Sequence, residues 1–325
     1  MRLVVYITRR VLHALALLLA VIVLNFVLLH LAPGDIAQVI AGEMGGITQQ
    51  GLADIRAQYG LDKPLPEQLF IYLGNFAHLE FGDSFFYNQP VLTLIGQRVP
   101  ATLLLVITAL ILSVVFGTVI GVISARRPNS PLSHLVTLIS VGGYSVPVFW
   151  LGIMLLVLFA SVLPLFPTAG MYDAAKQVGA FGFAVDVAHH LVLPVFTLAF
   201  IYLGQYSRLA RGSMLETLAS DYVRTARAKG LSETLVVYKH ALRNAVLPVI
   251  TMAGLQFSQL FAGAILVETV FNWPGLGRLA FDAIVSRDYP TVLGILFFSA
   301  LIVVVANLLT DLCYRLVDPR IRLSE

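Results

Sequence analysis

Residues 221–248, DYVRTARAKGLSETLVVYKHALRNAVLP, gather Arg224, Arg227, Lys229, Lys239, His240 and Arg243 in a chain that is 58% hydrophobic and only 12% charged. Cationic side chains on helix-forming sequence either lie on anionic lipid headgroups or seat a short helix against a soluble partner. A second set of polar residues is uncharged. Gln256 and Gln259 stand among small residues of an apolar run, with Ser258 beside them, and Ser145 stands in an earlier run. Such groups hydrogen-bond a neighbouring helix or line a water-filled path. Both readings stay open at this point. Glu268 follows at the far end of the same run, where it is expected to reach water, and Asp311 falls near the end of the last apolar run.

Covalent chemistry finds little to use. The sequence contains no G-x-x-x-x-G-K-[ST] phosphate loop, no H-E-x-x-H and no G-x-S-x-G, so ATP hydrolysis, zinc proteolysis and acyl transfer have no recognisable site in this chain. GGYSVP around Ser145 lacks the final glycine of a nucleophile elbow, and its Pro147 reads as a helix bend. His189 and His190 adjoin a membrane boundary with no third ligand nearby. No relay of carboxylates or histidines runs along any apolar segment. The chain is expected to be no enzyme, to hold no cofactor or metal, and to bind no nucleic acid.

The elements that must position these residues are membrane helices. Mean hydropathy is +0.86, and runs of about 20 apolar residues mark transmembrane spans. Six are expected, at roughly 11–31, 102–125, 135–163, 191–207, 247–271 and 292–312, the third bent by Gly142, Gly143 and Pro147. The first run is read as a retained helix, because it is longer than a secretory h-region and no small-residue cleavage site stands ahead of LAPGD. The lone Cys313 permits no internal disulfide. With six spans, 15 of the 21 Lys and Arg residues fall on the side that holds both termini and the 221–248 stretch, against 6 on the other. The positive-inside rule makes the richer side cytoplasmic. The loop at about 32–99 is the one soluble-looking insert, a small extracytoplasmic cap with turn signals at Gly60, Pro64, Pro66 and Gly82. No second domain or internal repeat is evident, so residues 1–325 are expected to form one transmembrane domain.

Small residues recur at four-residue spacing on two spans: Ser113, Gly117, Gly121 and Ala125, then Gly254, Ser258 and Ala262. Such faces let helix backbones approach closely in lipid. The basic loop, about 211–247, reads as two short helices. Ser213 and Glu216 suggest a capping box for the first, which places Leu215, Leu218, Tyr222 and Ala226 on one face. Gly230 is suited to a left-handed helix end, and Ser232 with Glu233 to the start of the second helix. Leu231, Leu235, Tyr238 and Leu242 recur along that second helix at one-face spacing.

RTARAKG followed by SETLVVYKHALRNAVLP resembles the EAA loop of ATP-binding-cassette importer permeases. Gly230 matches the loop's glycine; Arg224, Thr225 and Ala226 stand where the consensus has Glu-Ala-Ala, and His240, Ala241, Leu242 and Arg243 where it has I-x-L-P. These departures resemble the peptide-permease branch. So do LHLAPGD (29–35), YGLDKPLPEQ (59–68), FGDSF (81–85), PVLTLIGQRVPATLLL (90–105), SVPVFWLG (145–152), AGAILVETVFNWPGLGRL (262–279) and DPRIRL (318–323). The chain is similar to a B-type subunit of the dipeptide/oligopeptide/nickel class.

The resemblance implies an all-α integral membrane protein with the type I importer fold in a bacterial inner membrane. It also implies a homologous C-type permease partner, two cytoplasmic ATPases that bind the ATP, and an extracytoplasmic substrate-binding protein. Arg224, Thr225, Ala226, Gly230, Leu235, Tyr238, His240 and Leu242 would form the ATPase-coupling loop. Gln256, Gln259, Ser258 and Ser145 are the candidates for the translocation pathway. An ion-coupled secondary transporter is the alternative, although such proteins tend to show internal repeats and intramembrane ion sites.

Overall fold

The computed structural model describes residues 2–31, 50, 62–176 and 179–317, and among these the only β pairing is an isolated bridge between Asp83 and Pro90. In chain order the helices begin with α1 (Arg2–Leu31), α2 (Leu65–Ala77), α3 (Val91–Arg126), α4 (Pro131–Ser145) and α5 (Val148–Leu155). There follow α6 (Ala180–Leu218), α7 (Asp221–Ala228) and α8, which runs through Glu233–Leu235, the π-helical Val236–Ala241 and Leu242–Ala245. Next come α9 (Leu247–Val270), α10 (Leu276–Val285) and α11 (Tyr289–Val317).

Five of these, α1, α3, α6, α9 and α11, are long and apolar enough to cross a membrane. The run expected as the third span is two pieces. α4 stops at Ser145, Val146 is extended at φ −90 and ψ 125, and α5 starts after Pro147 and continues as a π-helical segment, Leu156–Val162. Proline supplies no N–H and disfavours helical geometry in the residue before it, so the bend expected at Pro147 is a complete break. The fourth expected span, 191–207, lies inside α6, whose 39 residues extend beyond it at both ends.

Two compact units form from non-consecutive stretches: residues 1–100 with 278–305, and residues 101–277 with 306–325. In the first, rings of Phe26, Tyr72, Phe76, Phe81 and Phe297 pack in sequence with centroids 4.5 to 5.6 Å apart. That spacing suits offset and edge-to-face aromatic contacts. The carboxylate of Asp288, 1% exposed, accepts from Ser84 Oγ at 2.5 Å, Thr291 Oγ1 at 2.7 Å and the Phe85 N–H at 3.3 Å. This ties the turn at 79–90 to the start of α11.

The second unit is built on close helix approach. A β-carbon at Gly117 of α3 would lie 2.6 Å from Tyr206 Cβ, and one at Gly121 would lie 2.5 Å from the Ser207 carbonyl oxygen, both on α6. The small-residue face read from sequence on the second span is therefore a packing face. Of its counterpart on α9, Gly254 meets α11, where a β-carbon would strike the Thr310 side chain; Ser258 is half-buried and Ala262 exposed. In both places the glycine permits backbone proximity that hydrophobic driving force cannot supply in lipid.

Candidate functional site

The basic loop forms a helical hairpin seated on the end of α6. Its first helix does not start at Ser213. That residue and Glu216 lie inside α6, which continues to Leu218, and α7 opens instead after Ser220 at φ −71 and ψ 154. The S-x-x-E spelling is equally at home within a helix, and packing of Met214 into the hairpin core keeps the helix going. Ser220 Oγ donates to the Thr217 carbonyl rather than capping α7.

Gly230 behaves as expected, at φ +77. Its N–H donates to the Arg227 carbonyl at 2.9 Å and the Leu231 N–H to the Ala226 carbonyl at 3.4 Å. These two bonds form a Schellman ending. Across the turn Arg227 holds Glu233 with two bonds, Nε to Oε2 at 3.1 Å and Nη2 to Oε1 at 2.8 Å. That guanidinium lowers the Glu233 carboxyl below the ordinary carboxylate range, and the carboxylate in turn raises Arg227. Ser232 occupies the N-cap of α8 in extended geometry, with no side-chain cap bond. No sequence periodicity links Arg227 to Glu233; the signal was two opposite charges flanking a glycine turn.

Burial divides the hairpin's residues. Val223, Ala226, Val236, Val237, Ala241 and Ala245 form its core with Met214 of α6 and with Val122 and Ala125 of α3. Leu231 and Leu242 pack against that core, but Leu235 and Tyr238 are exposed, so the expected four-residue face of the second helix is split. The π-helical segment at 236–241 changes the turn register, and the smaller valines and alanines take the inner face. Arg224 and Thr225 are exposed, as is Tyr222, whose hydroxyl accepts from Asn244 Nδ2 at 2.8 Å and donates to the His240 carbonyl at 3.5 Å. The Arg126 guanidinium lies 5.8 Å from the centre of the Tyr238 ring, within cation–π range.

In α9, Gln256 is 2% exposed and donates its Nε2 to Gln259 Oε1 at 2.7 Å, while Gln259 is itself exposed. The two expected pathway amides are thus brought together, one turn apart, with the outer one facing away from this chain. Ser258 is half-buried. Ser145 is the last residue of α4, and its side chain lies outside the described residues, as do those of Asp311 and Cys313. The histidines separate: His189 Nε2 pairs with the Leu165 carbonyl at 2.9 Å and His190 Nδ1 with the Asp186 carbonyl at 2.8 Å.

Glu268 does not reach water; it has no exposed surface. Its carboxylate accepts from Thr102 Oγ1 at 2.6 Å and from the Gly277 N–H at 2.7 Å. The chain beyond α9 folds back over it, so Gly277, nine residues on, and Thr102, 166 residues away, supply what water would have supplied. The available signal was the local spelling, an acid followed by Pro274, Gly275 and Gly277, which announces a tight turn around something small.

The sequence that builds this hairpin and these spans has known relatives. The family described as "Binding-protein-dependent transport system inner membrane component" matches residues 117–323, and the N-terminal family of the same membrane component matches residues 3–106. The chain belongs to this family. Over 317 residues, 97% of this chain and 98% of the relative, it is 40% identical to the oligopeptide transport system permease protein AppB of Bacillus subtilis (strain 168). It is 40% identical to the di/tripeptide permease DppB of Pseudomonas aeruginosa (strain UCBPP-PA14) and 39% identical to the dipeptide permease DppB of Escherichia coli (strain K12), each over 98% of both chains. Among solved structures, the inward-facing MetNI methionine ABC transporter superposes with a TM-score of 0.54 at 16% identity, covering 69% of this chain and 96% of that one. That likeness gives the type I permease fold. The permease is a multi-pass membrane subunit of an ABC importer and works with ATPase subunits and a substrate-binding protein, which removes the ion-coupled alternative.

Proposed function

We propose that this permease is the B-type half of a translocation pathway for peptides or closely related small solutes, completed by a homologous C-type permease. Its relatives named for oligopeptides, di/tripeptides and dipeptides support the solute class. Both units act as one permease domain. ATP is a ligand of the two ATPases rather than of this chain, and the ATPase docks on the hairpin at 221–245, within the coupling loop expected at about 211–247. One observation carries the docking reading: Val223, Ala226, Val236 and Val237 fasten the hairpin to α3 and α6 from within, while Tyr222, Leu235 and Tyr238 stay exposed among Arg224, Thr225 and His240. A rigid base with exposed apolar anchors and a basic rim fits a groove on a soluble partner. Gln256, Gln259, Ser258 and Ser145 are assigned to the pathway. Both termini and the hairpin are cytoplasmic, and the 32–99 insert faces the binding protein.

The test uses the assembled importer. Leu235→Asp with Tyr238→Asp is expected to abolish co-purification of the ATPase while membrane insertion stays normal; retained co-purification would refute docking at this face. Orientation is checked with Ser232→Cys in a Cys313→Ser background. An impermeant thiol reagent should label it only from the cytoplasmic side, and labelling from outside would invert the map.

A further inference from the structure

The segment ETVFNWPGLG, residues 268–277, carries no role in docking or in the pathway, yet it is among the most buried stretches of the second unit. Glu268 and Trp273 have no exposed surface, Leu276 is 1% exposed and Thr102 2%. Buried hydrogen bonds close it. Glu268 accepts from Thr102 Oγ1 and from the Gly277 N–H; the Thr102 hydroxyl oxygen accepts from the Leu276 N–H at 2.8 Å; and Trp273 Nε1 donates to the Ala101 carbonyl at 2.9 Å. The Trp273 N–H also returns to the Glu268 carbonyl at 2.8 Å. There is no slack around the carboxylate: a β-carbon at Gly275 would lie 2.1 Å from Glu268 Oε1, and one at Gly277 would lie 2.5 Å from Ile265 Cα. The result is a clasp between the end of α9 and α3 at Ala101–Thr102.

The same two helices are joined again at their opposite ends. Val122 and Ala125 of α3 sit in the hairpin core, and α9 begins directly after α8. Leu110 and Val114 of α3 pack against a buried cluster formed by Tyr206 and Ala210 of α6 and Val249 of α9. α9 has 24 residues, about 36 Å at 1.5 Å per residue, enough to cross the hydrocarbon core.

We propose that the Glu268 clasp makes α3 and α9 a single strut, so that displacement of the hairpin arrives undiminished at the far end of both helices, with Glu268 and Thr102 as its positioning residues. A helix fastened at one end tilts freely at the other. A helix pair fastened at both ends moves as a body, because every bond of the clasp is buried and none can be exchanged for water without opening it. This inference rests on the docking reading for the source of the motion, but the clasp itself is a property of the permease.

The experiment measures the distance between nitroxide labels at Ile107→Cys and Leu266→Cys, exposed positions on α3 and α9 near the clasp. The labelled permease carries Cys313→Ser and is assembled with its ATPases and C-type partner in lipid nanodiscs. With the clasp intact, one narrow distance distribution is expected, the same without nucleotide and after trapping with ATP and vanadate. Thr102→Val, which removes the hydroxyl but keeps the shape, should lose that narrow distribution or make it nucleotide-dependent, and Thr102→Ser should restore it. Glu268→Gln keeps an acceptor for Thr102 and loses the second acceptor oxygen, so it should fall between wild type and Thr102→Val. A distance that changes on trapping in the unaltered clasp would overturn the proposal. So would a Thr102→Val distribution identical to wild type, which remains measurable even if Glu268 variants fail to assemble. Co-purification of the ATPase on the same samples reports on docking and is independent of the label distance.

Discussion

The start of α9 is anchored through a hairpin whose charges stay in solvent, whereas its end is anchored through a carboxylate with no exposed surface. At the hairpin, Arg227 and Glu233 are 41% and 54% exposed, and water can replace either partner. At the clasp, each donor to Glu268 has nowhere else to turn. The hairpin's stability comes from small apolar side chains pressed on α3 and α6, and its polar surface is left available for a partner. The clasp has the opposite distribution, polar within and covered without. The hairpin keeps its charges outside, and the clasp keeps its carboxylate in.

The contrast can be broken most severely at Gly275. Gly275→Ala puts a methyl group on the Glu268 carboxylate and should unpair the Thr102 hydroxyl and the Gly277 N–H, at about 1–3 kcal/mol for each group. The largest drop in detergent melting temperature of any substitution considered is expected here; an unchanged melting temperature would mean the carboxylate can step aside. Gly230→Val comes next. No atom lies within 4 Å of its would-be β-carbon, so the cost is conformational alone, about 1–3 kcal/mol for a β-branched residue forced to φ +77. ATPase association and uptake should fall while insertion stays normal, with Gly230→Asn milder. Full uptake by a well-expressed valine variant would deny the turn its role.

Gln256 and Gln259 give a prediction about sign. Because the buried amide of Gln256 bonds the exposed one, Gln259→Leu alone should destabilise more than Gln256→Leu with Gln259→Leu, which removes both partners and costs below about 1 kcal/mol. Uptake lost by the stable double variant would keep both amides in the pathway; unchanged uptake would remove them from it. The smallest effect belongs to Arg227 and Glu233, where a double-mutant cycle should return about 0.2–1 kcal/mol, reduced by salt. The Glu233 carboxyl is lowered in the folded hairpin, so its contribution is complete above the ordinary carboxylate range, near pH 4.3. It fades only as pH falls from there through the lowered value. ATPase association measured between pH 6 and pH 8 should therefore owe no pH dependence to this pair; a titration in that range removed by Glu233→Gln would contradict the assignment.

How much of this was legible in the sequence follows from the range of each interaction. The Gly230 turn was readable because a glycine between two helix-forming stretches states its own conformation. The close-packed glycines of α3 were readable because four-residue spacing defines a helix face whatever it meets. The Ser213 capping box misled because the same letters occur inside helices, and only tertiary packing of Met214 decides that α6 continues. The face of α8 was half wrong because a period of 3.6 assumes regular winding, and residues 236–241 are π-helical. Glu268 was placed correctly along its helix and given the wrong surroundings, since Thr102 belongs to no window that contains it.

One consequence concerns how α6 enters a bilayer. Half of its apolar window is buried in the protein, against 11% for α1. Thr197, Tyr206 and Ser207 have essentially no exposed surface: Thr197 lies beside Gly152 of α5, Tyr206 and Ser207 lie beside glycines of α3, and Tyr206 also packs with Val249 of α9. As an isolated helix in hydrocarbon, α6 would present those hydroxyls to lipid tails. α1 exposes leucines along most of its length, and Asn25 is its one buried polar side chain among the described residues. During synthesis α3 is already made when α6 emerges, but α9 is still to come, about thirty residues later in the chain. The helix at the centre of the unit is thus also the one least able to settle in the membrane until its later neighbour arrives.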